Sequence, residues 1–324
     1  MKRKTKQTVF LICMTVVIVG LLLFFVLRDK EESYSSDYQE SNRTDTIMYG
    51  GKEYRYNEHL SNYLFMGIDV REPVEEYETR ENTGRADAIF LLSYDRVEKT
   101  VKCISIPRDT MTNIRVLTID GTDTGTTREH INMQYAFGDG KDGSCRLMKE
   151  AVSGLLYNVP IQGYCSLNMD GITAAVDVLG SVEMVLADNS MADVNPAYVE
   201  GAKVTITKEN AEQFIRHRDT DESQSALVRT NRQKELMKAV SECTRKKSAE
   251  DADFIVKMYE SLEPYMVTNI GNDVLADLSE AKFDSKHGVV DIPGEGVEGD
   301  RHDEYHIDED KLYELVLQMF YEEV

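Results

Sequence analysis

A chain of 324 residues with 41% hydrophobic and 29% charged residues can bury a substantial core and is too polar for a multi-span membrane protein. Its net charge of −21 excludes the basic surface with which nucleic-acid binders displace counterions, so no nucleic-acid partner is expected. Six histidines without metal spacing and the lack of any C-x-x-C give no zinc-site pattern.

In chain order, Lys2, Arg3, Lys4 and Lys6 precede an uncharged apolar run from Thr8 to Leu27. At about 1.5 Å per residue that run spans about 30 Å, the thickness of a bilayer core. It ends in Arg28-Asp29-Lys30-Glu31-Glu32 with no small-residue cleavage pattern, so it reads as a permanent anchor rather than a signal peptide. The expected layout is a cytoplasmic tail over 1–7, a transmembrane anchor over 8–27, a polar linker over 28–58 and an extracytoplasmic domain over 59–324. Residues 1–28 hold five of the 37 Lys/Arg and none of the 58 Asp/Glu, leaving −26 on the outer part. An anionic ligand there needs a local cluster of arginines or a metal.

Apolar runs at Tyr63–Ile68, Ala88–Tyr94 and Val101–Ile106 predict three strands, with a charged loop over 70–86 between the first two. Residues 107–142 read as irregular. Helix at Ser144–Tyr157, strand at Ile161–Leu167, helix at Asp170–Leu179, a Gly180 turn and a strand at Val182–Leu186 follow. Helices are then expected at Lys208–Phe214, Ser223–Arg245, Ala249–Leu262 and Leu275–Lys282, and a short strand at Val289–Ile292. A last helix is capped by Asp308. This mixture without a clean break predicts one α/β domain, a mixed central sheet with helices on both faces. Cys103 alternates with Val101 and Ser105 and reads as core, while a disulfide among Cys145, Cys165 and Cys243 stays open.

Gly138-Asp139-Gly140-Lys141-Asp142-Gly143 fits G-x-G-x-x-G, but no strand precedes it and two Asp residues stand where a pyrophosphate would sit. It reads as a glycine-rich turn. The Asp120–Glu129 stretch lacks needed calcium ligands at Thr122 and Thr124 and reads as a solvated loop.

Charged residues gather at the strand ends, where open α/β sheets bind ligands. Asp69 ends the first strand, with Arg71 two residues on. Arg85 and Asp87 precede the second, and Arg108 and Asp109 follow the third after Pro107. Further on, Arg216 and Arg218 share a face if that segment is extended. Arg229 and Gln233 project together from a helix, with Arg232 one step around. The planar guanidinium suits bidentate phosphate binding, yet the same arginines can also pair with this chain's abundant carboxylates.

Tyr63-Leu-Phe-Met-Gly-Ile-Asp69, Gly84-Arg-Ala-Asp87, Ser105-Ile-Pro-Arg-Asp109, His130-Ile-Asn132, Asp177-Val-Leu-Gly-Ser-Val182, Arg216-His-Arg218 and Arg229-x-x-Arg232-Gln233 occur in the order of the LytR-CpsA-Psr pattern. Over about residues 60–245 the chain resembles that family of cell-wall glycopolymer transferases, with 246–324 a C-terminal extension. The resemblance implies a mixed sheet between helices and transfer of a glycopolymer, teichoic acid or capsule, from a polyprenyl-pyrophosphate carrier to peptidoglycan. It implies that Arg85, Arg108, Arg216, Arg218, Arg229 and Gln233 bind the pyrophosphate and that Asp69 and Asp87 hold Mg²⁺ or Mn²⁺. Arg108 would neutralise developing charge, and Asp87 or Asp109 would take the acceptor's proton. Three positions depart from the pattern: Ala226 where Asp is usual, His130 where Lys is common, and Ser181 in the Gly-Gly turn. The alternatives are a polyprenyl-phosphate binding or regulatory module without turnover, and a lipid pyrophosphate hydrolase.

Overall fold

The computed structural model describes residues 46–76 and 83–217 without interruption, short stretches between 228 and 251, and most of 254–324. The expected anchor lies outside the described residues. Among those described, no helix is long and apolar enough to cross a membrane. They divide into two compact units, 46–168 with 265–324, and 169–264, where the sequence suggested one.

The larger unit runs through β1 (Thr46–Tyr49), β2 (Lys52–Tyr56), β3 (Leu60–Ile68), β4 (Ala86–Asp95), β5 (Thr100–Ile106), β6 (Met111–Leu117) and β7 (Asp123–His130). Two helices, α1 (Met133–Ala136) and α2 (Asp142–Leu155), lead to β8 (Gly163–Asn168). The second unit then holds α3 (Met169–Leu179), β9 (Val182–Val185), β10 (Lys203–Ile206), α4 (Lys208–Arg216) and α5 (Phe254–Leu262). Every described position from 228 to 250 is helical. The chain returns to the larger unit with β11 (Met266–Thr268), β12 (Lys282–Phe283), β13 (Val289–Asp291), β14 (Gly294–Val297), β15 (Glu304–Ile307), α6 (Glu309–Phe320) and β16 (Tyr321–Glu323).

The central sheet has the order β11-β8-β3-β4-β5-β12, with β13 also beside β5. It is mixed: β8 runs parallel to β3, and β12 and β13 run parallel to β5, while β4 runs antiparallel to both of its neighbours, β3 and β5. Leu64 and Ile104 on one face pack with Met148 and Val152 of α2 and with Val316 and Phe320 of α6. Each such side chain contributes about 1.5–3 kcal/mol when removed from water. Tyr63, Phe65, Leu92 and Cys103 point to the other face and are buried as well, which is why β3 and β4 read as continuous apolar runs rather than alternating ones. Asp308 caps α6 as expected, its carboxylate accepting the Lys311 amide at 3.2 Å.

Three segments differ from the sequence reading. Residues 46–56, assigned to the linker, form the β1–β2 hairpin, and β2 pairs on its other side with β16. The supposedly irregular region holds the β6–β7 hairpin, held to the body by Gln134, whose side chain bonds both the amide and the carbonyl of Arg115. That hairpin takes in most of the stretch read as a solvated loop. Cys103, Cys145, Cys165 and Cys243 are all free thiols, and burial pushes the Cys145 thiol up to about 12, leaving it inert.

In the second unit β9 and β10 form an antiparallel pair, and α3 packs against α4 and α5. Gly180 ends α3 at φ +74°, a conformation that favours glycine at a helix C-terminus.

Candidate active site

The site in the larger unit is built where β3, β4 and β5 end. Just past β3, the Asp69 amide donates to the Arg85 carbonyl at 3.0 Å, and the Asp69 carboxylate accepts the Arg85 amide at 2.5 Å. Arg85 Nη2 and Nε reach the second carboxylate oxygen at 3.2 and 3.3 Å. Backbone and side chains thus lock the pair. Gly84 permits it: at φ +76°, an added Cβ would lie 1.9 Å from Val70 Cγ2 and 2.9 Å from Ile68 Cγ2. On the far side, buried Thr83 donates its hydroxyl to the Ala136 carbonyl at 3.0 Å.

Asp87, expected immediately before the second strand, lies inside β4. The β3–β4 register passes from Gly67 opposite Ala88 to Ile68 opposite Ala86, so Asp87 is the extra residue of a β-bulge. Bulges break the alternation of side chains and re-aim one of them. Here the re-aimed carboxylate meets Arg108, whose Nη1 donates to Asp87 Oδ2 at 2.9 Å. Arg108 Nε also lies 3.4 Å from Asp109 Oδ1. Burial alone would lower the Arg108 pKa, but the Asp87 and Asp109 charges outweigh it and hold the guanidinium above its ordinary value.

Pro107 ends β5, and buried Thr110 closes the turn by donating its hydroxyl to the Pro107 carbonyl at 2.6 Å. The β6–β7 hairpin leaves and returns here. The Asn132 amide donates to the Arg108 carbonyl at 3.2 Å, and its own carbonyl accepts the Ala86 amide at 3.4 Å. Asn132 therefore staples the end of β5 to the start of β4, a role that His130-Ile-Asn132 carried no local signal for. Its side chain is buried, and Oδ1 has no hydrogen-bond partner.

Asp69, Arg85, Asp87, Arg108 and Asp109 are thus brought together at one sheet end. Arg216 closes α4 instead of lying in an extended segment, and its side chain together with Arg218, Arg229 and Gln233 lies outside the described residues. Arg232, a candidate ligand by sequence, is instead buried within the second unit. A residue one step around a helix points about 100° away from its neighbour, so Arg232 and Gln233 cannot share a face.

The family model of the LytR_cpsA_psr family matches residues 23–320. The chain belongs to this family. A teichoic acid transferase TagU of Halalkalibacterium halodurans is 34% identical over 179 residues, 55% of this chain and 51% of the relative. TagV of Bacillus subtilis is 28% identical over 268 residues, 78% of this chain and 61% of the relative. Both are polyisoprenyl-teichoic acid–peptidoglycan teichoic acid transferases, and the chain spans about half to three fifths of their length. The crystal structure of B. subtilis TagV superposes with a TM-score of 0.57 at 23% identity, over 81% of this chain and 96% of that one, a likeness of fold. It agrees with the mixed α/β architecture of this member of the LytR_cpsA_psr family.

Among the described residues no group of three or more His, Cys, Asp or Glu is arranged to hold a metal. The donors at the sheet end are instead two carboxylates, Asp69 just past β3 and Asp87 in β4, and the unpartnered side-chain oxygen belongs to Asn132, whose backbone carbonyl bonds the Ala86 amide at the start of β4. Magnesium takes one or two carboxylates and completes its sphere with water and phosphate oxygens. The residues present fit that sparse demand and do not fit a closed zinc or calcium cage.

Proposed function

We propose that this chain is a membrane-anchored phosphotransferase that moves a glycopolymer of the teichoic acid class from a polyprenyl-pyrophosphate carrier to peptidoglycan. The observation that carries this reading is Arg108 bridging Asp87 and Asp109 at the sheet end, in a chain whose family and relatives perform that class of transfer. Residues 8–27 would form the anchor, with the domain outside the cell membrane.

Arg85 and Arg108 bind pyrophosphate oxygens, and the family resemblance gives Arg216, Arg218, Arg229 and Gln233 the same role. An arginine held between carboxylates is already oriented and can turn its fork to phosphate with little loss of freedom. Arg108 neutralises charge as it develops on the transferred phosphoryl group. Asp87 or Asp109 takes the proton of the attacking sugar hydroxyl. Asp69 and Asp87 would hold Mg²⁺ or Mn²⁺, which supplies Lewis-acid polarisation of the phosphoryl group.

The test incubates the purified full chain with polyprenyl-pyrophosphate-linked glycan and peptidoglycan, with Mg²⁺ or with chelator. Glycan should become attached to peptidoglycan only with the metal. Undiminished transfer in chelator refutes the metal. Tight lipid binding without transfer identifies a binding module, and glycan phosphate released without an acceptor identifies a hydrolase.

A further inference from the structure

Among the described residues, Arg232 is the one charged side chain in the buried interior, 5% exposed. A buried guanidinium is costly unless its donors are met. Nε donates to the Phe214 carbonyl at 2.7 Å, Nη1 to the Ser190 hydroxyl at 2.8 Å, and Nη2 to the His217 carbonyl. The guanidinium carbon also lies 5.7 Å from the centre of the Phe214 ring.

Both carbonyls belong to the end of α4. The last turn of a helix leaves carbonyls without partners, and a cation there is favourable toward the helix dipole. The His217 amide satisfies Gln213, at 3.0 Å, and Arg232 satisfies Phe214 next in line. His217, at φ −53° and ψ 133°, then leaves the helix abruptly. Residue 216 sits between the two gripped carbonyls.

We infer that Arg232 is a positioning residue for Arg216: it fixes the backbone on both sides of that arginine and so pre-organises it for the pyrophosphate. The inference rests on the proposed reading of Arg216 as an anion ligand. A long arginine loses much freedom on binding, and a fixed Cα removes the backbone share of that loss beforehand. Lysine cannot do this work, because a point charge cannot reach three acceptors as the planar fork does.

The experiment measures binding of polyprenyl pyrophosphate and of the corresponding alcohol to the full chain in detergent, for wild type, R216A, R232K, S190A and R216A/R232K. R232K should weaken pyrophosphate binding about tenfold, close to the effect of R216A. S190A, which removes a single contact and keeps the charge, should weaken it by a smaller factor. The double variant should bind no worse than R216A alone, because Arg232 acts through Arg216. A merely structural arginine would instead give losses that multiply, or a loss that follows the melting temperature. Either result, or wild-type affinity in R232K, overturns the inference. Should R232K fail to fold, S190A in the wild-type and R216A backgrounds decides by the same non-additivity. Wild type that does not distinguish pyrophosphate from alcohol overturns the functional reading and this inference with it. Discrimination left undiminished by R216A overturns this inference alone.

Discussion

Arg108 donates to the Asp87 carboxylate at 2.9 Å, so one side chain ties the end of β5 to the bulge in β4. Both are about 30% exposed, so the pair contributes at most about 1 kcal/mol to folding. Its value lies in orientation. Arg108→Ala should therefore leave the melting temperature almost unchanged while weakening polyprenyl pyrophosphate binding by about 10- to 100-fold. Calorimetric unfolding and ligand titration on the same preparation check this. Equal losses in both would make the pair structural.

Gly84→Ala should be among the most damaging single-methyl additions in the chain. The new Cβ meets Val70 and Ile68, and the left-handed backbone adds strain of its own. Together they should cost at least about 2 kcal/mol, read as a lower urea midpoint at unchanged slope. An unchanged midpoint would show that Arg85 and Asp69 do not depend on this close approach.

Asp139 occupies, in the G-x-G-x-x-G run, the amides that a phosphate-binding loop would turn to its ligand. Its carboxylate accepts the amides of Lys141 at 2.9 Å, Ser144 at 3.0 Å and Gly143 at 3.2 Å, filling the helix start with the chain's own anion. Burial would raise its pKa, but these backbone bonds outweigh burial and hold it below the ordinary carboxylate range. A depressed folded pKa gives stability that is full above the unfolded value of about 3.9 and is lost as pH falls through the folded value. Asp139→Asn should cost about 1 kcal/mol at neutral pH, and the gap from wild type should narrow once pH falls below the unfolded carboxylate value of about 3.9. Denaturation curves at both pH values test it.

The anchor reading predicts that protease added to intact protoplasts degrades residues 29–324 and that the mature protein keeps residues 1–28. Full protection, or a mass lacking those residues, would reverse the topology.

The sheet was legible because Tyr63–Ile68 and its neighbours are buried on both faces and therefore read as unbroken apolar runs. The β6–β7 hairpin was not. The first six residues of β7, Asp123–Arg128, are exposed, so no alternation survives to mark a strand. Asp69, Arg85, Asp87, Arg108 and Asp109 could be found from their places at strand ends. What sequence spacing could not convey was pairing: the register skip that makes Asp87 a bulge, the bridge of Asn132 between two strands, and the reach of Arg232 back to Phe214. Each depends on partners distant along the chain, and local periodicity carries nothing about them.

Thr46 and Glu322 face Arg55 from opposite sides, so the first and last strands of the larger unit stand about 10 Å apart across β2. Val324 completes the seam by donating its amide to the Glu53 carbonyl at 2.9 Å. A load applied through residue 46 meets β1 first and peels it from β2 one residue pair at a time. The peel runs from Thr46 to Tyr49 and reaches the Gly50-Gly51 turn while β2 stays zipped to β16. The hairpin therefore opens before the strands that carry Asp87 and Arg108 can be parted.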